Sequence, residues 1–264
     1  MTIQNYTFRD TGEASARLRK LAELYEPETR ELLKRGGARG AELAIDLGCG
    51  PGYTTRLLRD VVEAKRTIGF DASERFIEEA RHKHGPELEF RVGDVARGDF
   101  GGLRPNAMLC RFLLTHLAAP GEALTAWAAA AAPGAILFIH ETESLETENR
   151  TLDRYYELVS RLQEHYGQAL YVGGLLEAFV KQSGWKIEES ERIVMEKPAR
   201  KMAELHLPNL RTWRKDEFAK KSFDEREMDA LEEELSRIAS GKEEAGNVVN
   251  SARQIIARLE PAVR

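Results

Sequence analysis

Residues 44–54, AIDLGCGPGYT, constrain the fold of this 264-residue chain more than any other stretch. A short apolar run ends in Asp46, a turn follows in which Gly48, Gly50 and Gly52 alternate with other residues, and a helical pattern comes next. Strand, glycine turn and helix in this order are typical of a ligand-binding turn in an α/β sheet. Glycine permits backbone angles closed to other residues and leaves room for a ligand against the main chain. A chance glycine cluster in a surface loop is the alternative for the turn taken alone.

The spacing of these glycines is informative. A dinucleotide fingerprint is G-x-G-x-x-G, whereas residues 45–52, IDLGCGPG, have the pattern G-x-G-x-G with an acid two positions before the first glycine. At this point the chain resembles the class I S-adenosylmethionine-dependent methyltransferases, whose first motif is (V/I/L)-(D/E)-x-G-x-G-x-G. Residues 45–52 match this motif at every position. The resemblance implies that S-adenosylmethionine is the cofactor.

Two acidic residues at later strand ends strengthen the resemblance. Asp71 follows the apolar run 67–70, about 20 residues after Gly50, where an acid accepts hydrogen bonds from ribose hydroxyls. Asp94 follows a third predicted strand at 88–92. In a resembling enzyme it accepts from the adenine amino group, and the Val95 amide meets a ring nitrogen. The cofactor-binding residues so implied are Asp46, Gly48, Cys49, Gly50, Gly52, Asp71, Ala72, Asp94, Val95 and Arg111, with Tyr6 and Arg9 closing over the methionine end.

The same order continues with a fourth strand at 106–110 and a fifth at 135–139, preceded by Pro133-Gly134. Ala135 stands where many resembling enzymes have a second glycine, a small departure. The resemblance covers about residues 40–142 and is strongest to the small-molecule branch, which includes ubiquinone- and menaquinone-type C-methyltransferases. It implies an α/β, doubly wound, seven-stranded and mostly parallel sheet with an antiparallel last strand, plus N-terminal helices and a helical cover.

The chain is expected to have four segments. Residues 1–40 form an N-terminal helical cap, with one helix closed by Pro27 and a second over 28–34. Residues 41–142 form the cofactor-binding core. Residues 143–222 are helical insertions around the sixth strand and cover the acceptor, because long insertions are usually functional. Residues 223–264 hold the last helix, opened by a capping box at 222–225, and a seventh strand at 247–259.

The acceptor is predicted to be a small, partly apolar or aromatic molecule held under these insertions. The added segments carry five aromatic side chains that suit such a pocket: Tyr155, Tyr156, Tyr166, Tyr171 and Trp213. Arg211 is a candidate anchor for a carboxylate or phenolate. Plain packing of the added helices is the competing explanation.

Methyl transfer from a sulfonium needs alignment of acceptor, methyl and sulfur, and in some cases removal of a proton. His116, His140 and Glu141 are the candidate catalytic residues, because they follow the fourth and fifth predicted strands. Residues 110–113, CRFL, lack the Asn/Asp-Pro-Pro-Tyr/Phe motif, which disfavours amino-group methylation of bases or of glutamine. His82 and His84 diverge on a helix, so no metal site is expected.

The sequence thus predicts a methyltransferase acting on a small organic acceptor. The alternatives are a noncatalytic S-adenosylmethionine-binding protein on the same fold and an NAD-dependent oxidoreductase. The net charge of −5 argues against nonspecific nucleic-acid binding. We expect a cytoplasmic protein without a membrane partner, because residues 1–10 are polar, the chain has two cysteines and no long apolar run is present. A homodimer is a possible assembly.

Overall fold

A computed structural model describes residues 12–260 of the chain, and a mixed seven-stranded sheet forms its centre. The strand order is β3-β2-β1-β4-β5-β7-β6, and β7 runs antiparallel to both of its neighbours while the other pairs are parallel. The predicted fold class is therefore confirmed. The strands are β1 Leu43–Leu47, β2 Arg66–Asp71, β3 Glu89–Val92, β4 Ala107–Arg111, β5 Ile136–Glu146, β6 Trp185–Pro198 and β7 Asn247–Leu259.

Helices cover both faces of the sheet, as its nearly unbroken apolar strands require. The helices are α1 Gly12–Arg35, α2 Tyr53–Val62, α3 Glu74–His84, α4 Pro120–Ala130, α5 Arg150–His165, α6 Leu176–Gln182, α7 Ala199–Trp213, α8 Glu217–Ser222 and α9 Glu225–Ala239. Leu32 of α1 and Leu58 of α2 share one core cluster with Phe138 of β5. Trp127 of α4 and Val180 of α6 belong to another cluster with the strands. The ends of the strands, where a ligand could bind, lie between these two layers of helices.

The predicted break at Pro27 is wrong, because α1 continues through it to Arg35. Proline removes one intrahelical hydrogen bond, to the carbonyl four residues earlier. Pro27 and Glu23 are both exposed, so water can satisfy that carbonyl. Tyr25 and Thr29 on the opposite face are buried and hold the helix against the sheet end. Tertiary packing outweighs the local preference here.

The strands β5, β6 and β7 are longer than the rest and extend past the carboxyl edge of the sheet, with Glu146 paired to Val249 and Pro198 to Asn247. The fifth strand was expected to end at residue 139; it runs on to Glu146, so His140 and Glu141 lie inside it rather than at its terminus. This extension supports a second core, whose side chains come from α5, α7, α8 and α9. We call these four helices and the N-terminal half of α1 the cover.

Helix α9 packs within the cover, since Met228, Leu231 and Leu235 share its core with Tyr155 and Trp213. The last helix thus packs against helices α5 and α7 of the insertions. Its N-cap is Asp224, whose side chain accepts from the amide of Glu227. The capping box predicted at 222–225 is therefore wrong, and Ser222 ends α8 instead.

Candidate active site

The glycine turn after β1 has a backbone that requires glycine at three positions. Gly48, Gly50 and Gly52 have φ values of 68°, 51° and 86°, all in the left-handed region. A Cβ on Gly52 would lie 2.7 Å from Phe90 Cε1 and 2.8 Å from His84 Cδ2. Among the described residues, a Cβ on Gly50 would meet Leu18 of α1, at 3.3 Å. The turn is thus tightly packed underneath at Gly52, and α1 lies across it at Gly50.

Asp46 fixes the base of this turn. Its Oδ2 accepts hydrogen bonds from the hydroxyls of Thr54 (2.6 Å) and Thr55 (2.7 Å) in the first turn of α2. Burial raises the pKa of Asp46 to about 6, although both hydroxyls work against that shift. The carboxyl is enclosed, so its role is to tie the end of β1 to the start of α2.

Asp71 joins the end of β2 to the glycine turn. Its Oδ2 accepts from the Gly50 amide and its Oδ1 from the Ser73 amide, each at 2.8 Å. The Cys49 amide also donates to the Phe70 carbonyl at 2.9 Å, which fixes the turn against β2. A carboxylate has about four lone-pair sites on its two oxygens, so it can accept several hydrogen bonds at once.

Asp94 lies at the end of β3 with its side chain 63% exposed. Its Oδ1 accepts from the Ala96 amide at 3.1 Å and so caps the short 3₁₀ turn Val95–Arg97. Val95 is buried, and its carbonyl accepts from Trp127 Nε1 at 2.7 Å. A rigid backbone thus presents an open carboxylate, which can accept from an exocyclic amine.

The remaining residues assigned to the cofactor differ in exposure. Cys49 is buried, and burial, with Asp71 and Asp46 nearby, raises the pKa of its thiol well above the usual value. It contributes its backbone and not a reactive thiol. Ala72 is exposed beside Asp71. Arg111 is half-buried at the end of β4, and its Nη1 lies 3.4 Å from Thr29 Oγ1. Tyr6 and Arg9 lie outside the described residues.

Glu141 holds the turn after β4. Its Oε1 accepts from the amides of Leu113 (2.7 Å) and Leu114 (2.8 Å). Phe112, just before them, has a φ of 51°, which is strained for a bulky residue. Burial raises the pKa of Glu141 to about 7. Because the side chain of Leu113 packs against Gly48, these contacts favour a positioning role for Glu141 rather than the predicted catalytic one.

His140 is fully buried on the neighbouring position of β5. Its Nδ1 lies 3.2 Å from Thr29 Oγ1 and 3.4 Å from Gln254 Nε2. Burial lowers its pKa to about 3, with Arg111 and Lys197 adding to that effect. Because this imidazole is neutral and enclosed, we infer that His140 packs under the β4 turn and does not transfer a proton.

His116 ends a 3₁₀ turn over Leu114–His116 and faces the cover. Its Nδ1 lies 3.4 Å from Nε2 of Gln163 on α5. Burial and, second to it, the charge of Arg17 on α1 lower its pKa to about 3. Among the three predicted catalytic residues, His116 is the one that the structure brings to the cover.

The cover also contributes a second buried histidine, His206 of α7. His206 Nε2 lies 3.0 Å from the Tyr156 hydroxyl, and its ring stacks on Tyr155 with centroids 4.4 Å apart. Burial and then Arg17 lower its pKa to about 3. We call Arg17, His116, Gln163 and His206 the polar cluster.

Of the aromatic residues predicted to line an acceptor pocket, Tyr155, Tyr156 and Trp213 are buried together in the cover. Tyr171 is half-buried, whereas Tyr166 is 41% exposed and donates to Asp216 on the surface. Arg211, the predicted anchor, pairs with Glu232 of α9 at 2.8 Å and lies on the exterior. That hypothesis is therefore wrong for Arg211.

Arg17 was missed as a candidate because no motif contains it. It is only 6% exposed. The available signal was its place on α1, three residues after Ala14 and four before Leu21, both on the apolar face of the helix. A charged residue on a buried helical face is unusual enough to mark a site.

The described residues contain neither a cluster of metal ligands nor a helix that could span a membrane. Residues 12–260 hold no group of three or more His, Cys, Asp or Glu side chains placed to bind a metal ion. Within the same range, every helix is too short or too polar to span a bilayer.

Residues 44–134 match the family model described as "Methyltransferase domain". The chain is 29% identical over 149 residues to trans-aconitate 2-methyltransferase of Variovorax paradoxus (strain S110), a match that covers 55% of this chain and 57% of the relative. The chain spans between about a quarter and just over half of the length of the curated relatives it matches.

Solved structures show the same fold. A proposed methyltransferase from Bacillus halodurans C-125 superposes with a TM-score of 0.59 at 16% identity, covering 87% of this chain and 97% of that one. Phosphoethanolamine N-methyltransferase 2 of Haemonchus contortus, in complex with phosphomonomethylethanolamine and S-adenosylhomocysteine, superposes with a TM-score of 0.53 at 17% identity. That match covers 93% of this chain and 57% of the other.

Proposed function

We propose that this chain, whose residues 44–134 match the model of the methyltransferase domain family, is an S-adenosylmethionine-dependent enzyme that methylates a small organic acceptor. The observation that carries the proposal is the joint geometry of the glycine turn and Asp71. The Gly50 amide donates to Asp71 at 2.8 Å, which sets a carboxylate that can bind hydroxyls directly beside the glycine-rich turn. The ubiquinone-like branch has no support beyond the sequence resemblance.

The residues at the strand ends fit this cofactor. Asp71 can accept from both ribose hydroxyls, and the exposed carboxylate of Asp94 can accept from the adenine amine. A Cβ at Gly50 would fill the space above the turn. When bound, S-adenosylmethionine supplies an electrophilic methyl group on a sulfonium. The glycine turn is kept in place by Asp46, by Thr54 and by the β4 turn that Glu141 holds.

The cover serves the acceptor. Tyr155 and Tyr156 provide apolar contact area with polar ends, and α1 lies across the glycine turn through Leu18. Enclosure of this kind aligns the reactants and excludes water, which is the main protein contribution to methyl transfer. Of the two similar proteins with a named small molecule described above, one is a trans-aconitate 2-methyltransferase and the other binds phosphomonomethylethanolamine.

Among the candidate catalytic residues, we keep His116 as the one that faces the acceptor, while His140 and Glu141 support the β4 turn. With a pKa near 3, His116 stays neutral at physiological pH and is a weak proton acceptor. Its role is to donate or accept a hydrogen bond that orients the acceptor.

A methyl-transfer assay with isotope-labelled S-adenosylmethionine tests the proposal. Small organic acids, phenols and amines are offered singly, and products are identified by mass spectrometry. We expect one class to gain a single methyl group with an equal yield of S-adenosylhomocysteine. Cofactor binding without any transfer favours the noncatalytic alternative, and binding of NAD in place of S-adenosylmethionine favours the oxidoreductase.

A homodimer, a cytoplasmic location and the absence of nucleic-acid partners remain predictions from the sequence. Sedimentation velocity at two protein concentrations tests the assembly, and a gel-shift assay at low salt tests nucleic-acid binding.

A further inference from the structure

We propose that Arg111, at the end of β4, binds the carboxylate at the methionine end of the cofactor. The inference rests on the proposed function, because it adds a binding residue to that same site. It depends on where the sheet places Arg111, on what its guanidinium contacts, and on the direction in which Asp71 and Asp94 orient the cofactor.

The register of the sheet places Arg111 beside the glycine turn. Strand β4 pairs with β1, and the pairing ends with Cys110 opposite Leu47. The next residues along the two strands are Arg111 and Gly48. The side chain of Arg111 is directed towards α1, because its Nη1 lies 3.4 Å from Thr29 Oγ1. Arg111 is thus next to the first glycine of the turn, on the face of the sheet that α1 covers.

The guanidinium of Arg111 keeps its charge without a direct partner of opposite charge. The Thr29 hydroxyl donates to the Tyr25 carbonyl at 2.9 Å, so its oxygen is free to accept from Arg111. The Phe112 ring covers one face of the group, with its centroid 5.7 Å from the guanidinium carbon. Within residues 12–260, Arg111 forms no ion pair. Burial lowers its pKa to about 10, so it stays protonated at neutral pH.

The acids that act on this guanidinium through space are bound to other groups. Glu26 accepts from Arg30 and Glu28 from Lys197, each at 2.7 Å. Asp46 accepts from two threonine hydroxyls. Arginine is almost never enclosed in a protein without a partner. Its N–H donors form a fork that fits a carboxylate through two parallel hydrogen bonds, so a carboxylate of a ligand suits this position.

The order of the strands gives the direction in which the cofactor lies. Along the carboxyl edge of the sheet, β3 ends near Asp94, β2 ends at Asp71, β1 leads into the glycine turn, and β4 ends at Arg111. A cofactor with adenine at Asp94 and ribose at Asp71 therefore extends over the turn towards β4. Two strand spacings, roughly 10 Å, separate β2 from β4, and the homocysteine chain is long enough to cover that distance.

An acidic acceptor is the other source of a carboxylate. The position of Arg111 favours the cofactor, because the residue adjoins the turn itself. The two sources predict different results. If the carboxylate belongs to the cofactor, loss of Arg111 weakens cofactor binding; if it belongs to the acceptor, cofactor binding is unchanged.

Isothermal titration calorimetry on the full-length protein distinguishes them. The ligands are S-adenosylhomocysteine and its decarboxylated analogue, S-adenosyl-3-thiopropylamine, which keeps the adenosine, the sulfur and the amine. We expect wild-type protein to bind S-adenosylhomocysteine about 10-fold tighter than the analogue, because a charged hydrogen-bonded pair is lost in the analogue. In Arg111→Met this preference should disappear, because S-adenosylhomocysteine binds more weakly while the cationic analogue binds as before or better.

Arg30→Met is the matched control. Arg30 follows Thr29 on α1, but its guanidinium is already paired with Glu26. We expect Arg30→Met to keep the wild-type preference for the carboxylate. The inference is overturned if wild-type protein binds the two ligands equally, if Arg111→Met keeps the preference, or if Arg30→Met loses it too. An equal loss of affinity for both ligands in Arg111→Met also overturns it, since that result shows a structural role.

If Arg111→Met does not fold by circular dichroism, Arg111→Lys replaces it. Lysine keeps the charge but lacks the paired donors. We expect Arg111→Lys to bind S-adenosylhomocysteine several-fold more weakly and the analogue as before, and an unchanged preference contradicts the inference.

The wild-type titrations separate the two proposals. Wild-type protein that binds neither ligand contradicts the proposed function. Wild-type protein that binds S-adenosylhomocysteine, together with an Arg111→Met variant that binds it equally well, contradicts the assignment of Arg111 alone.

Discussion

The glycine turn and the polar cluster lie side by side across Leu18, yet the chain builds them by different means. The cofactor side is made from backbone: left-handed glycines at 48, 50 and 52, and carboxylates that accept from neighbouring amides. The cluster is made from side chains that come from α1, the β4 turn, α5 and α7. Its members are far apart in sequence and meet only in the folded chain.

This difference determines how each region responds to change. A backbone-built site has few tolerated substitutions, because a Cβ or a lost acceptor disturbs the turn itself. A side-chain site can be altered one contact at a time while the fold is kept. We therefore expect large effects on both folding and binding on the cofactor side, and selective effects on acceptor choice in the cluster.

The largest expected effect is from Gly52→Ala. The added Cβ would lie within 2.8 Å of Phe90 and His84 at a φ of 86°, which combines strain and overpacking. We expect a loss of about 2–4 kcal/mol in the free energy of unfolding, measured by urea denaturation.

Gly102→Ala is the matched control, because Gly102 has a φ of 76° and no atom of residues 12–260 lies within 4 Å of the added Cβ. It should lose only the strain energy, about 1–2 kcal/mol. Equal losses in the two variants would contradict the packing account of Gly52.

The second effect concerns Glu141, which joins the two regions through the β4 turn. Its pKa rises from 4.5 to about 7 on folding because of burial, so the native state keeps a proton that the unfolded state loses. Stability from this group is thus present below pH 4.5 and lost as the pH rises to about 7. The loss is on the order of 3 kcal/mol.

Glu141→Gln should remove this pH dependence while its side-chain oxygen still accepts from Leu113 and Leu114. The measurement is the difference in unfolding free energy between wild-type and variant at pH 4.5 and pH 7.5. Asp46 has a pKa of about 6 and titrates in both proteins, so its contribution cancels. Parallel pH profiles would show that Glu141 is not the cause.

A third effect concerns cofactor affinity. Asp71→Ala removes a charged acceptor for the ribose and should weaken S-adenosylhomocysteine binding by roughly 1.5–3 kcal/mol, measured by calorimetry. Unchanged affinity would remove Asp71 from the site.

The smallest effect is from Asp94→Ala. Its carboxylate is exposed and makes one hydrogen bond to the Ala96 amide, so stability should fall by less than about 1 kcal/mol. Cofactor affinity should fall by about 1 kcal/mol, less than for Asp71→Ala. A larger loss than in Asp71→Ala would reverse the assigned importance of the two acids.

The contrast also explains what could be predicted from the sequence. Gly48, Gly50 and Gly52 leave a pattern because each position needs a backbone angle that glycine alone adopts readily, and the seven-stranded order followed from it. Arg17 leaves no pattern, because a buried arginine is recognised only when its surroundings are known. The extension of β5 through His140 and Glu141 was missed for a related reason, since these two residues are polar and yet fully buried.

We expect a cofactor in the glycine turn to face the polar cluster. The most direct measurement is a crystal structure of the complex with S-adenosylhomocysteine. We predict that the ribose hydroxyls bind Asp71 and that the sulfur lies on the side of the turn towards Arg17 and His116. A ligand bound elsewhere, or a sulfur directed away from that cluster, would contradict the account.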